Sequence, residues 1–248
     1  MKRSNLYEAI FKRKSIRKYD LISMDRDELE EISEYLSTLK PLFENIKTEF
    51  KILPLNDTKS ILPWKAPYYI AAFSEIREGY LENIGFMLQQ MDLFLSSNGI
   101  GSCWQGWTKP AKEVFRGSAL EFVIVMAFGK PNESLHRSSV SEFKRKPLEQ
   151  IRNIAGKDEL LEPVRLAPTT NQPWFFTGGD NVIHAHCAKS NFVKALINEK
   201  INKIEMGIGI CHLWIAAQHF GKDIEFSKNT DAQEHLPGYN YFISLKIA

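Results

Sequence analysis

Arg13, Ser15 and Arg17 stand at alternating positions in "RKSIRK", with Lys14 and Lys18 between and after them. Two guanidinium groups and a hydroxyl at that spacing are suited to gather around one anionic group. Guanidinium is permanently charged and pairs its N–H donors with phosphate oxygens. A cofactor phosphate is a natural guest, and a solvated basic face is the plainer reading of the same residues. The formal net charge of only +2 decides how the cluster is weighed. A nearly neutral chain has no overall field for nucleic acid or anionic lipid, so the cluster has to act locally.

Two further stretches carry chemistry. In "LAPTTNQPWFF", Leu166 to Phe176, the adjacent carboxamides of Asn171 and Gln172 sit on a loop stiffened by Pro168 and Pro173. Side by side they offer donors and acceptors to a heterocycle edge that alternates carbonyl and N–H groups, as flavins and pyrimidines do. An ordinary loop running into the core at Trp174 reads the same way. In "SNGIGSCWQGW", Ser97 to Trp107, three glycines let backbone approach a flat ligand while Trp104 and Trp107 wall it. A glycine helix cap followed by an exposed turn is the alternative.

Other catalytic arrangements have little support. His184 and His186 share one face of an expected strand and Cys187 takes the other, which leaves a metal short of ligands. Cys211 and His212, adjacent on an apolar helix, point in different directions and make a poor nucleophilic pair. Cys103, Cys187 and Cys211 are odd in number and widely spaced, which argues against a disulfide framework and for a reducing compartment. The start "MKRSNLYEAI" lacks a signal-peptide apolar run, and no stretch reaches membrane-span length, so the cytoplasm is expected.

The elements that must position these residues follow from pattern. Helices are expected at about Asn5 to Lys14 and Asp25 to Lys40, the second capped by Ser23 or Asp25. "TEFKILPL" and "APYYIAAFS" read as strands, Leu81 to Asn98 as a buried helix and "LEFVIVMAFG" as a buried central strand. The second half echoes the first. Gly85 and Gly99 bracket one apolar helix, Gly207 and Gly221 another, at an offset of 122 (207 − 85). Each precedes a strand, Glu121 to Gly129 and Tyr241 to Ala248. An ancient duplication accounts for this, with the two long helices packed about a pseudo-two-fold axis; two chance glycine caps are the alternative. The join falls in the polar stretch after Gly129, giving halves 1–150 and 151–248.

In combination, "RKSIRKY", "GIGSCWQG", "APTTNQPW", and "FGKPNES" followed by "RKPLEQI" resemble the FMN-dependent nitroreductase family. The proline loop lies late, at residue 168, and is shortened so that Asn171 and Gln172 touch. That order resembles the single-chain, duplicated TM nitroreductase branch. The resemblance implies an α+β nitroreductase-like fold, with a mixed or antiparallel sheet wrapped by helices. It implies an FMN-dependent oxidoreductase carrying hydride from NADH or NADPH to a nitroaromatic, quinone or similar acceptor. A non-catalytic FMN-binding or sensing module is the alternative. The resemblance places Arg13, Lys14, Ser15 and Arg17 on the phosphate, ribityl and pyrimidine portions of FMN, with Arg145 and Lys146 completing the clamp. Trp104, Gln105 and Gly106 approach the isoalloxazine, and Asn171 and Gln172 come from the other half. Arg13 and Arg17 are both expected at the surface. Partners are small molecules only, without nucleic acid or membrane, and a monomer suffices if the two halves mimic a dimer.

Overall fold

The computed structural model describes residues 5–189, 195–228 and 236–248. The chain separates into two compact units, Met1–Glu142 and Phe143–Ala248. The division precedes the expected residue 150 because Arg145 and Lys146 hydrogen-bond to the loop at 167–172 and so belong with the second unit.

In the first unit, α1 (Leu6–Ile10) starts at Asn5, whose side chain accepts the Glu8 N–H at 3.2 Å. It ends well before the expected Lys14. The backbone beyond it is drawn into isolated bridges, Arg13 with His136, Ser15 with Ser102 and Tyr19 with Pro131. Helix α2 (Arg26–Ser37) opens on Asp25 in a capping box, with the Glu28 carboxylate accepting the Asp25 N–H at 3.1 Å. It buries only Ile32 and Leu36, the narrow stripe of a surface helix. The strands β1 (Thr48–Pro54), β3 (Tyr68–Ser74), β6 (Glu121–Gly129) and β4 (Gly101–Gln105) form one sheet in that spatial order, antiparallel throughout. As its apolar run requires, β6 is an interior strand. Helix α3 (Tyr80–Ser97) packs on this sheet and is buried along almost its whole length. A separate two-stranded ribbon pairs β2 (Thr58–Ser60) with β5 (Thr108–Pro110), and α4 (Lys112–Arg116) follows it. Ile16, Tyr19, Tyr69, Phe73, Val125 and Ala127 share one core cluster. The basic segment is therefore anchored by the apolar residues inside it.

In the second unit β8 (Trp174–Gly178), β9 (Val182–Ala188), β11 (Tyr239–Ile247) and β10 (Ile224–Ser227) form an antiparallel sheet, with β7 (Arg152–Asn153) added parallel to β8. Helix α5 (Asp158–Arg165) packs on α6 (Ala195–His219).

The units repeat one plan. Chain order helix, strand, strand, long helix, strand, strand holds for α2–β1–β3–α3–β4–β6 and for α5–β8–β9–α6–β10–β11. Spatial order β1-β3-β6-β4 matches β8-β9-β11-β10. The long helices end alike: the Ile100 N–H donates to Leu95 O and the Lys222 N–H to Ala217 O, both at 2.9 Å, across Gly99 (φ 83°) and Gly221 (φ 67°). Both donors and both acceptors are 122 residues apart (222 − 100, 217 − 95), so Gly99 and Gly221 mark a shared cap of the Schellman kind, whereas Gly85 and Gly207 do not bracket the helices as expected but lie inside α3 and α6, each of which starts earlier. Among the described residues, no helix is long and apolar enough to cross a membrane.

Candidate functional site

The basic segment and the glycine-rich stretch meet along β4. The Ile16 N–H donates to the Ser102 carbonyl at 3.0 Å, and Ser15 bridges Ser102 in parallel. A Cβ at Gly101 would come within 2.9 Å of the Ile16 side chain, so glycine there is what lets the segment lie this close. Extended backbone turns alternate side chains to opposite sides. Ile16 enters the core, while Arg17 is exposed.

The two arginines have different fates. Arg13, expected at the surface, is only 2% exposed, and its guanidinium Nε lies 2.9 Å from the fully buried Asp92 carboxylate on α3. Its Nη2 donates to the same group at 3.1 Å. A cation beside an apolar segment and an anion within an apolar helix can both leave water only as a pair. Asp92 also accepts from the Ser102 hydroxyl at 2.5 Å and from the Gln89 amide at 3.0 Å, and Gln89 in turn accepts the Trp104 indole N–H at 3.2 Å. One buried network thus ties α3, β4 and Arg13 together. Arg17 keeps its guanidinium in solvent without an ion pair among the described residues. Its backbone is fixed instead: the Glu133 carboxylate accepts the Arg17 and Lys18 N–H groups at 2.8 and 3.0 Å and lies 3.7 Å from the Lys14 ammonium. Burial pushes the Glu133 carboxyl up, but those two N–H donors and the Lys14 and Lys18 charges more than reverse it, so it lies below the usual carboxylate range. Burial raises the neighbouring Cys103 thiol, against the pull of the Arg17 and Arg13 charges and a hydrogen bond with Ser15.

Beyond Trp104, Gln105 is buried. Its carbonyl oxygen accepts the Thr108 hydroxyl, and its Nε2 has no partner. At Gly106 nothing lies within 4 Å of where a Cβ would stand. An unpaired buried donor next to open backbone is the sort of atom a ligand acceptor satisfies. Ser15, Arg17, Gln105 and Gly106 thus fit the tail and ring of a flat anionic cofactor, whereas Arg13 is engaged elsewhere.

In the second unit, Arg145, Lys146, Asn171 and Gln172 form another cluster. The Gln172 carbonyl oxygen accepts the Lys146 N–H at 2.7 Å, and the Lys146 ammonium donates to the Asn171 and Gln172 carbonyls at 3.3 and 3.2 Å. Arg145 Nε donates to the Ala167 carbonyl at 3.2 Å. Gln172 has φ 46°, the left-handed region, and is buried with its N–H held by the Thr169 hydroxyl at 2.7 Å. Asn171 is exposed and donates to Asn202 at 3.1 Å. The buried Glu205 carboxylate accepts from the Thr169 hydroxyl and from the Thr170 and Asn171 N–H groups. The adjacent carboxamides therefore divide the work: Gln172 shapes the loop and Asn171 faces outward.

Asp92, Glu133 and Glu205 were absent from the sequence reading. For Asp92 the available signal is one aspartate in the middle of a mostly apolar, buried helix, since such a group demands a cation. Glu133 and Glu205 act on backbone N–H groups far away in sequence, and no spacing rule reports that. His184 and His186 do share a face: His184 Nδ1 lies 2.7 Å from the Ser244 hydroxyl, and His186 Nε2 2.9 Å from that of Thr177. Among the described residues no group of three metal-ligating side chains exists. His212 donates from Nδ1 to the Pro163 carbonyl at 2.8 Å, away from any nucleophilic role for Cys211.

A family model described as "Putative TM nitroreductase" matches residues 5–217. Among solved structures, the chain is similar to a putative nitroreductase from Thermotoga maritima at 21% identity and TM-score 0.67, over 98% of this chain and 93% of that one. It is also similar to an FMN-dependent nitroreductase from Clostridium difficile, at 16% identity and TM-score 0.42, over 57% of this chain and 94% of that one. A putative nitroreductase from Desulfovibrio desulfuricans in complex with FMN matches at 19% identity and TM-score 0.41, over 58% of this chain and 93% of that one. No curated protein matches the sequence. The first likeness shows a common fold over nearly the whole chain.

Proposed function

The chain belongs to the putative TM nitroreductase family, and from that membership we propose that it is an FMN-dependent oxidoreductase using NADH or NADPH to reduce a nitroaromatic, quinone or similar small acceptor. One observation carries the reading. The basic segment and the glycine-rich stretch, 84 residues apart in sequence (101 − 17), run side by side with one solvent-facing guanidinium and one unpaired buried amide.

FMN, when bound, would supply the hydride-transfer chemistry between the nicotinamide and the acceptor. The residues of this chain bind and orient. Arg17 donates to the phosphate, its backbone held in place by Glu133. Ser15 contributes a hydroxyl to the tail. Gln105 donates from Nε2 to an acceptor on the ring edge, and Gly106 leaves room for the ring plane. Trp104 is steadied by Gln89 at one side. Arg13 acts as a positioning residue through Asp92, with Lys14 adding charge. Arg145, Lys146, Asn171 and Gln172 are assigned to the cofactor on resemblance, with Asn171 as the exposed carboxamide and Gln172 as the residue that fixes its loop.

Visible absorption of the purified protein, reconstituted with FMN and then titrated anaerobically with NADH or NADPH, tests this. Stoichiometric flavin that bleaches on addition of the nicotinamide is expected. Failure to retain FMN overturns the assignment, and flavin that stays oxidised favours the non-catalytic flavin module instead.

A further inference from the structure

The ribbon β2–β5 has no counterpart between β8 and β9, which are joined directly through residues 179–181. It is also the most oddly furnished part of the first unit. Its register pairs Thr58 with Pro110, Lys59 with Lys109 and Ser60 with Thr108. Thr108 turns inward, buried, with its hydroxyl 2.7 Å from that of Ser60 and against Gln105. The other side therefore carries Lys59 directly across from Lys109. Like charges opposed across an antiparallel pair are destabilising. Neither ammonium has an ion pair or hydrogen bond among the described residues, and the nearby Asp57 carboxylate makes no ion pair with either. Ile61 follows Ser60 and Trp107 precedes Thr108, so the two residues flank the last pair of the ribbon. They are 79% and 61% exposed, the former the most exposed large apolar side chain described and the latter an aromatic that contributes little to the core. Gly106, immediately before Trp107, borders open space.

A lysine pair that repels itself beside an exposed isoleucine and tryptophan describes a complementary guest. We propose that this face binds a small aromatic anion, a single flat ring bearing a carboxylate, with the ring over Trp107 and Ile61 and the carboxylate between Lys59 and Lys109. Two residues along a strand span roughly 7 Å, about the reach from a ring centre through its carboxylate to an ammonium. The carboxylate offsets the lysine repulsion, and the ring covers the exposed apolar pair. That this anion serves as the electron acceptor rests on the reading above, whereas its binding does not.

Calorimetric titration of the purified protein with 4-nitrobenzoate, nitrobenzene and ADP tests it. At low salt, 4-nitrobenzoate should bind about 10-fold tighter than nitrobenzene, and 0.5 M salt should erase the advantage, as screening demands. The pair K59Q/K109Q should lose that advantage while binding nitrobenzene normally, and W107A should weaken both ligands about 10-fold. The lysines are exposed, so near-ultraviolet circular dichroism and FMN content should be unchanged in K59Q/K109Q. Equal binding of the charged and neutral ligands, an advantage that survives K59Q/K109Q, or indifference to W107A would overturn the proposal. So would ADP being the ligand lost in the variants while 4-nitrobenzoate is unaffected. Nitrobenzoate binding that depends on Trp107 in a protein that never retains FMN would sink the flavin reading and leave this one standing.

Discussion

The two repeats share a scaffold and differ in what has been hung on it. In both, a long helix carries polar residues that hold the loop following the preceding short helix. Asn83 accepts the Leu42 and Phe43 N–H groups at 2.8 and 3.0 Å, and Glu205, 122 residues later (205 − 83), accepts those of Thr170 and Asn171. Gln90 donates to the Lys40 carbonyl at 2.7 Å, and His212, at the same offset, donates to the Pro163 carbonyl within α5 itself. The staples survive with changed chemistry. The additions differ entirely: the first repeat has the segment from Arg13 to Arg17 along β4, the Asp92 network and the β2–β5 ribbon, while the second has β7 and a pair of histidines on β9. The architecture resides in the repeated part, and the basic segment and the Asp92 network are laid over it in the first repeat alone.

The strongest way to break that comparison is Asp92→Ala. The second repeat has Trp214 at the matching offset (92 + 122) and no such ion pair, so the variant strips a feature peculiar to the first. Leaving Arg13 buried and unpaired should cost about 3–5 kcal/mol in urea unfolding. The double change R13M/D92L should recover most of that, since apolar replacement of both partners is close to neutral. If the single variant costs no more than an ordinary surface change, the network is not a structural tie.

Arg17→Ala sharpens the same contrast from the ligand side. Its guanidinium is exposed and bears no internal load, so unfolding midpoints should hold while FMN affinity, followed by flavin fluorescence, drops about 10-fold. That figure takes the low end for a charge-assisted bond because water screens an exposed group. Arg13→Ala should show the reverse emphasis, losing stability first.

The shared caps predict equality. Gly99→Ala and Gly221→Ala each place a Cβ in open space at positive φ, so backbone strain alone acts, at about 1 kcal/mol apiece. Costs differing by much more than a few tenths would mean that the caps are alike in geometry only.

The smallest effect is in pH dependence. Burial lowers the His184 and His186 rings below their ordinary 6.5, and the His184 charge lowers His186 further. The unfolded chain then takes up these protons first on acidification. Stability should be level above about pH 6.5 and fall as pH drops below it, and His186→Gln should flatten that fall. His136 in the first repeat is lowered as well, by burial and the Lys12 and Lys14 charges against the pull of the Ser96 carbonyl. His136→Gln should therefore remove a separate share.

Much of the repeated scaffold is legible in the sequence because it is written in periodicity. The run from Glu121 to Gly129 has the length and apolar content of an interior strand, and the expected buried helix at Leu81 to Asn98 is found at Tyr80–Ser97. The glycine offset of 122 marks the caps. The ribbon is not legible because "TKS" and "TKP" are short and cationic and the second ends in proline, the opposite of a strand signature, and it is held by Ser60 and Thr108 hydroxyls more than by apolar alternation. Helix α1 was drawn too long because local propensity says nothing of the partner strand that claims Ser15. The candidate residues are legible as types but not their partners: Arg13 looks like Arg17 until Asp92 is placed beside it.

That last contact spans 79 residues of chain. During synthesis, Arg13 leaves the ribosome on the order of ten seconds before Asp92, at about 5–20 residues per second. Ile16 waits longer still, since its partner Ser102 on β4 follows Asp92 in the chain. The segment from Arg13 to Arg17 is thus a cationic tether made well before the helix and the strand that anchor it.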